Sequence, residues 1–284
     1  RGSFPEVSRV TRKFRVPCIV EYNGVLVDEL KITKTPLWRR MLSQRREAIV
    51  ANSCSAAIAV DESTREGMIR HYPVLRDKCA TVLNGCDVDL FDAVRDVPKD
   101  PKRLIFVGSL FSWARLDIGL RAMALLPEDV TLDVIGDGER LSEYRKLSAD
   151  LGLPNRVRFH GRLPHKDIPK WLSGAAAGLA IESAGFEGSM PLKVSEYLAA
   201  GCVLVANGYP CHRHLEALGH ARLFPTPPTP EGVATAVIEA LTPAALDDSA
   251  VRARRSYARE HLSWERAARE ILAVIDKVAE SGAL

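Results

Sequence analysis

The sequence predicts an α/β protein made of parallel sheets covered by helices. Three observations point there. Short β-branched runs recur along the chain, longer amphipathic stretches fill the gaps between them, and the alternation holds for most of the 284 residues. Parallel neighbours cannot be joined by a tight turn, so strand, crossover helix and strand in succession is the pattern a parallel sheet imposes.

In chain order the strands are expected at residues 16–21, 57–60, 80–83, 103–107, 131–135, 156–159, 178–181 and 203–206. Helices are expected between them, among others at 117–126, 139–151, 166–172 and 191–200. From Phe91 to Lys102 the periodicity stops and Asp, Pro and Lys accumulate, the composition of an exposed linker. That places a boundary between a domain of residues 1–95 and one of 96–284. The second contains a complete Rossmann-like unit, whereas the first holds only about three strands and reads as incomplete. Beyond Pro230 only helices are expected, with Trp264, Ala267, Ala268, Ile271, Leu272 and Ile275 spaced for one buried face. The Pro-Thr-Pro-Pro-Thr-Pro stretch at 225–230 reads as a stiff loop.

Hydrophobic residues make up 46% and charged ones 26%, which excludes a disordered or fibrous chain. A formal charge of +3 predicts no extended nucleic-acid surface. An anionic ligand would therefore be met locally. The six cysteines contain no Cys-x-x-Cys pair, and no apolar run approaches the roughly 20 residues that cross a bilayer. The expectation is a cytoplasmic protein.

Residues 187–201 carry the chemistry. Pro191 suits the first turn of a helix, Ser189 is near enough to cap it, and Gly201 fits the position just past its end. The amides of Gly188, Ser189 and Met190 would point outward there and welcome an anion. Lys193 stands in the first turn, opposed to the helix dipole, with Glu196 three residues on. Residue types alone support two readings equally. One is an i,i+3 salt bridge on a solvated face. The other is a diphosphate held by the amides and Lys193, with Glu196 accepting from ribose hydroxyls.

The run Pro191-Leu-Lys-Val-Ser-Glu-Tyr-Leu-Ala-Ala-Gly201-Cys-Val-Leu-Val-Ala206 resembles the donor-site motif of family 4 glycosyltransferases, which have the two-Rossmann GT-B architecture. Further segments follow that family's order and spacing. They include Pro17 to Gly24, Ala57 to Val60, Val82 to Asp87 followed by Phe91, Phe106 to Leu110, Ile135 to Gly138, Val157 to Gly161 and Ser263-Trp264-Glu265. The resemblance implies a metal-independent, cofactor-free enzyme of polysaccharide biosynthesis type. It would move a hexose-like unit from a nucleotide diphosphate sugar to a glycan, lipid or small-molecule acceptor, with retention at the anomeric carbon. It also implies roles for single residues. Glu196 would hold the ribose, and Glu187 would stand near the sugar hydroxyls and the reacting centre. The amides of Gly188, Ser189, Met190, Pro191 and Leu192 would face the diphosphate. Gly108 and Ser109 would lie beside the phosphates, and Arg162 and Leu163 would hold the nucleobase through backbone.

The sequence departs from the family in several places. Glu187 and Glu196 are one residue further apart than the family's two glutamates. The family's arginine and lysine beside the diphosphate correspond to Ser109 and Ala114, with Arg115 adjacent as a substitute cation. Asn23 stands where many relatives have a histidine facing the active site, which gives it an acceptor-side role. The family's opening strand and glycine-rich turn are not found before Val16. We therefore expect a truncated enzyme that transfers sugar poorly or not at all.

Other constellations carry less. Cys211, His212 and His214 lack the remaining spacing of a zinc site. Gly136-Asp-Gly-Glu139 reads as a strand-to-helix turn. Residues 36–46, with Trp38, Arg39, Arg40, Met41, Leu42, Arg45 and Arg46, form a basic amphipathic helix. A helix packed on the first domain is the favoured reading there, and contact with the inner face of a membrane is the other. Two rival functions remain: a nucleotide-sugar-binding module without turnover, and a dinucleotide-dependent oxidoreductase. The second lacks the glycine fingerprint and the acidic residue that should follow it.

Overall fold

The computed structural model describes residues 5–32, 35–183 and 190–280. They form two compact units. The first takes in residues up to Asn84, Met190, and the chain from Glu265 onward; the second runs from Gly85 to Ser183 and from Pro191 to Trp264.

The first unit holds three parallel strands in the order β1 (Ile19–Tyr22), β2 (Ala56–Ala59), β3 (Cys79–Thr81). The short Ala-rich β2 is buried at every position, as a strand covered on both faces must be. One face packs on Tyr22, Ala51, Met68, Tyr72 and Leu75. Ala267, Ile271 and Val274 of the helix Trp264–Glu280 meet Ile58 and Val82 in a separate cluster.

The second unit is one parallel sheet of six strands: β4 (Asp100–Val107), β5 (Thr131–Ile135), β6 (Val157–Gly161), β7 (Ala175–Ala180), β8 (Val203–Asn207) and β9 (Ala221–Phe224). Their spatial order is β6-β5-β4-β7-β8-β9. Counted from β4, this is 3-2-1-4-5-6, the doubly wound Rossmann order. The chain steps outward from β4 twice on one side, then crosses back to β7 on the other. The crevice at the carboxyl ends of β4 and β7 is the place such a sheet offers a ligand.

The helix Leu192–Ala199 sits on this sheet through Tyr197. The ring is fully buried over β7, and a side chain on Gly178 would place its Cβ 2.4 Å from the ring carbons. Only glycine leaves room for that ring. The Tyr197 hydroxyl accepts from the Val107 N–H at 2.9 Å and donates to the Leu179 carbonyl at 3.2 Å, tying the helix to both central strands.

The α/β class and its parallel sheets are as expected, and most strands fall within two or three residues of their expected bounds. Four expectations need correction. The units divide between Asn84 and Gly85, not in the Pro- and Lys-rich stretch: the helix Asp89–Asp92 and the first residues of β4 already belong to the second unit. The chain from Glu265 returns to the first unit. In that last helix the buried line is Ala267, Ile271, Val274 and Val278, while Trp264, Leu272 and Ile275 are exposed. Pro191 is the N-cap, not the first helical residue, and it makes no side-chain cap; Ser189 lies outside the described residues. Strand β9 was not foreseen. Gly201 does end the helix, at φ +80°.

Replacing Gly178 by Ala would push a methyl into the Tyr197 ring. We expect a loss of at least about 2 kcal/mol, seen as a lower urea midpoint with an unchanged m-value.

Candidate functional site

Where β4 ends, the chain turns through Gly108 at φ +148°, and a Cβ there would lie 3.1 Å from the Lys193 Nζ. After β5 it turns through Gly136 at φ +142°, where a Cβ would lie 1.9 Å from the Gly108 carbonyl oxygen. Gly136 is required because its turn presses on the Gly108 backbone, and Gly108 is favoured by its positive φ with the Lys193 side chain close by. The Gly108 N–H donates to Ile135 at 3.0 Å and the Leu110 N–H to Asp137 at 2.9 Å. The result is a bare backbone floor beside the lysine.

Lys193 follows Leu192 at the start of the helix and is half-buried. Its Nζ lies 4.6 Å from the centre of the Phe106 ring, a cation–π placement, and it makes no ion pair with any described residue. Burial pushes its pKa down, while Glu182 and Glu196 pull it back up. Glu196, one turn on, meets the exposed His165, with Oε1 to Nε2 at 2.7 Å. The i,i+3 pair between Lys193 and Glu196 therefore does not form: each side chain turns to a partner on another element.

Glu182 follows β7 and was not singled out by the sequence. Its N–H donates to the Asn207 Oδ1 at 2.8 Å, and its carbonyl accepts from the Asn207 Nδ2 at 3.1 Å. Burial pushes its carboxyl up to about 7 against the pull of Lys193.

The other expected residues divide. Gly108 stands beside Lys193, and Ser109 is exposed next to it. Arg115 is already engaged: its Nε and Nη2 each donate to Asp117 at 2.9 Å. It is not a free substitute for the missing cations. Arg162 is exposed and Leu163 half-buried, beyond Gly161 in the loop that carries His165. The Met190 N–H donates to the Asp61 Oδ2 at 3.0 Å, so this amide is not open to a phosphate as expected. Pro191 has no N–H to give. The Val194 N–H folds back on the Pro191 carbonyl at 2.9 Å. Glu187, Gly188 and Ser189 lie outside the described residues. Asn23, exposed in the first unit, donates to the Glu21 carboxylate at 2.9 Å.

His212 is buried and donates through Nδ1 to the Asn207 carbonyl at 3.0 Å, while His214 meets the Tyr257 hydroxyl at 2.9 Å. No cluster of three or more metal-ligating side chains occurs among the described residues. Gly136 to Glu139 leads from β5 toward the helix Leu141–Asp150, the strand-to-helix turn expected there. A cavity of about 1030 Å³ opens at the far end of the Leu192–Ala199 helix, lined by Arg95, Lys99 and Arg255 among others. There the Lys99 ammonium donates to the Ala200 carbonyl at 2.8 Å. That recess is apart from the floor at Gly108.

Residues 87–260 match the family described as Glycosyl transferases group 1. The chain belongs to this family. An uncharacterized glycosyltransferase of Methanocaldococcus jannaschii is 19% identical over 242 residues, 81% of this chain and 60% of that protein. The D-inositol 3-phosphate glycosyltransferase of Corynebacterium diphtheriae is 27% identical over 188 residues, 59% of this chain and 42% of that protein. This group 1 chain thus spans less than two thirds of the length of either relative. The crystal structure of Anabaena HepE in complex with UDP matches its fold at a TM-score of 0.79 and 17% identity, over 96% of this chain and 76% of that one. The α/β fold with two parallel sheets is that of GT-B glycosyltransferase structures.

Within this group 1 chain the raised carboxyl of Glu182 sets a pH dependence of stability. Its folded pKa, about 7, lies above the ordinary 4.5, so its protonated form is favoured by folding. That contribution is complete below pH 4.5 and is lost as pH rises through 7. Glu182→Gln is expected to melt about 2–4 °C above the unsubstituted chain at pH 8 and level with it near the bottom of that range, read by thermal melts across pH.

Proposed function

We propose that the chain binds a nucleotide diphosphate sugar at the carboxyl ends of β4 and β7 and transfers its sugar, with retention and without a metal, to an acceptor. One observation carries this reading. Lys193 is half-buried at a helix N-terminus, over a floor of two glycines, with no ion pair among the described residues. Both burial and the helix dipole disfavour a cation there, and a bound diphosphate would relieve both. The Leu192 and Lys193 N–H groups would add to the same anion. Glu196, oriented by His165, supports a ribose contact, since an ionised carboxylate only accepts and a ribose offers hydroxyl donors. Glu187 is the candidate for the carboxylate beside the reacting sugar. The departing diphosphate is where stabilisation matters most, because charge grows there in the transition state. The structures of HepE with UDP and with UDP-glucose make UDP the first nucleotide to test.

Binding without turnover is the second reading. It draws on the engagement of Arg115 by Asp117 and on the neutral Ser109, which leave Lys193 as the cation at the floor. Release of UDP from UDP-sugars, followed over hours, separates binding from catalysis.

The reading makes a direct prediction. Lys193→Ala should weaken UDP binding roughly tenfold to a hundredfold, the loss of one charge-assisted contact, in titration calorimetry with EDTA present. NAD binding in place of UDP and GDP would move the protein to the oxidoreductase class.

We also propose a peripheral membrane contact through residues 36–46. In the helix Leu37–Ser53, Leu37, Trp38, Met41 and Leu42 are all exposed beside Arg39, Arg40 and Arg45, whereas Val50 and Ala51 further on are buried. The chain should co-sediment with vesicles of anionic phospholipid and not with neutral ones, and Trp38→Ala with Arg39→Glu should release it. Equal recovery with both vesicle types would exclude the contact.

A further inference from the structure

Asp61 follows β2 by one residue beyond Val60 and is 3% exposed. One oxygen caps the helix Glu62–His71, accepting from the Thr64 N–H at 2.7 Å. A cap needs no more than that, and Ser or Thr provides it as well as Asp. The second oxygen accepts from the Met190 N–H at 3.0 Å, across 129 residues of sequence. Met190 is itself 8% exposed and belongs to the first unit. It is joined by one peptide bond to Pro191, the N-cap of the helix that carries Lys193 and Glu196. A carboxylate at position 61, where a hydroxyl would cap equally well, is accounted for by this second bond.

We propose that Asp61 is a positioning residue for the donor. It holds Met190, the residue before the N-cap Pro191, and so fixes where the chain enters the Leu192–Ala199 helix that carries Lys193 and Glu196. The inference rests on the donor reading above. A buried carboxylate with two backbone N–H donors is a stronger clamp than a neutral pair, because charge-assisted hydrogen bonds are roughly twice as strong. Burial raises the Asp61 carboxyl, and the N–H groups of Thr64 and Met190 act against that rise.

The test uses the 284-residue chain and two substitutions. Asp61→Ser keeps a cap for Thr64 but is too short to reach Met190. Asp61→Asn keeps the shape but has one acceptor for two donors. Hydrogen exchange without ligand, followed by mass spectrometry in peptides covering 185–192, should be faster in both variants by roughly tenfold or more, while the peptides of the Glu62–His71 helix in Asp61→Ser stay as they are. UDP affinity, with GDP in parallel, should fall about tenfold in both variants. Unchanged exchange at Met190 overturns the clamp. Faster exchange with undiminished nucleotide affinity overturns the positioning role and leaves Asp61 a structural tie. Failure of the unsubstituted chain to bind either nucleotide overturns the donor reading itself, and the exchange data still decide the clamp.

Discussion

The position of the site follows from a ring resting on a glycine. Tyr197 lies flat where Gly178 has no side chain, and its hydroxyl is shared between Val107 of β4 and Leu179 of β7. Burying such a ring removes on the order of 2–3 kcal/mol of apolar surface from water, and each hydrogen bond adds about 1 kcal/mol. Those contacts hold the middle of the helix over β4 and β7, the two parallel strands between which the order of winding reverses. Lys193, four residues before Tyr197, is thereby set over Phe106 and against Gly108, and Glu196, just before it, is turned to His165. A helix seated by its polar residues alone would not hold these charges to within an ångström.

The electrostatics around Lys193 act against its charge. A lysine in the first turn opposes the helix dipole at a cost of about 0.3–1 kcal/mol, and its partial burial adds to that. Glu182 offsets little of this, since burial keeps much of its own charge off near neutral pH. Neighbouring cations are neutralised nearby, as the bidentate Arg115–Asp117 pair shows. Lys193 makes no ion pair with a described residue. A diphosphate returns about 1.5–3 kcal/mol per charged hydrogen bond, more than the dipole takes. In the proposed reading, that imbalance is what would favour an anion there.

Much of this was legible in the sequence because it is local. The β-branched runs of the second sheet mark its strands, and the spacing from Pro191 to Gly201 marks the helix. Strand β9 escaped because Ala-Arg-Leu-Phe is four residues long with a charge inside it. The last helix shows a buried face in its periodicity, but nothing local says which sheet it covers or which of its two apolar lines is inside. The partners of the site residues are also non-local. His165 is 31 residues from Glu196, and Asp61 is 129 from Met190, so local spacing could not decide between a Lys193–Glu196 pair and separate partners for the two. Strain at Gly108 and Gly136 was visible only as two glycines after strands. The reason for them is the approach of one turn to the other, which sequence spacing does not reveal.

The return of the last helix to the first sheet has a consequence for how the protein is made. Ile58 and Val82 are synthesised before the second sheet, yet the residues that cover them, Ala267, Ile271 and Val274, are synthesised after the whole of it. The first unit, although it precedes the second in the chain, is therefore the one whose core closes last. Until then it presents an apolar sheet face to solvent, the kind of surface that chaperones bind and that nascent chains aggregate through.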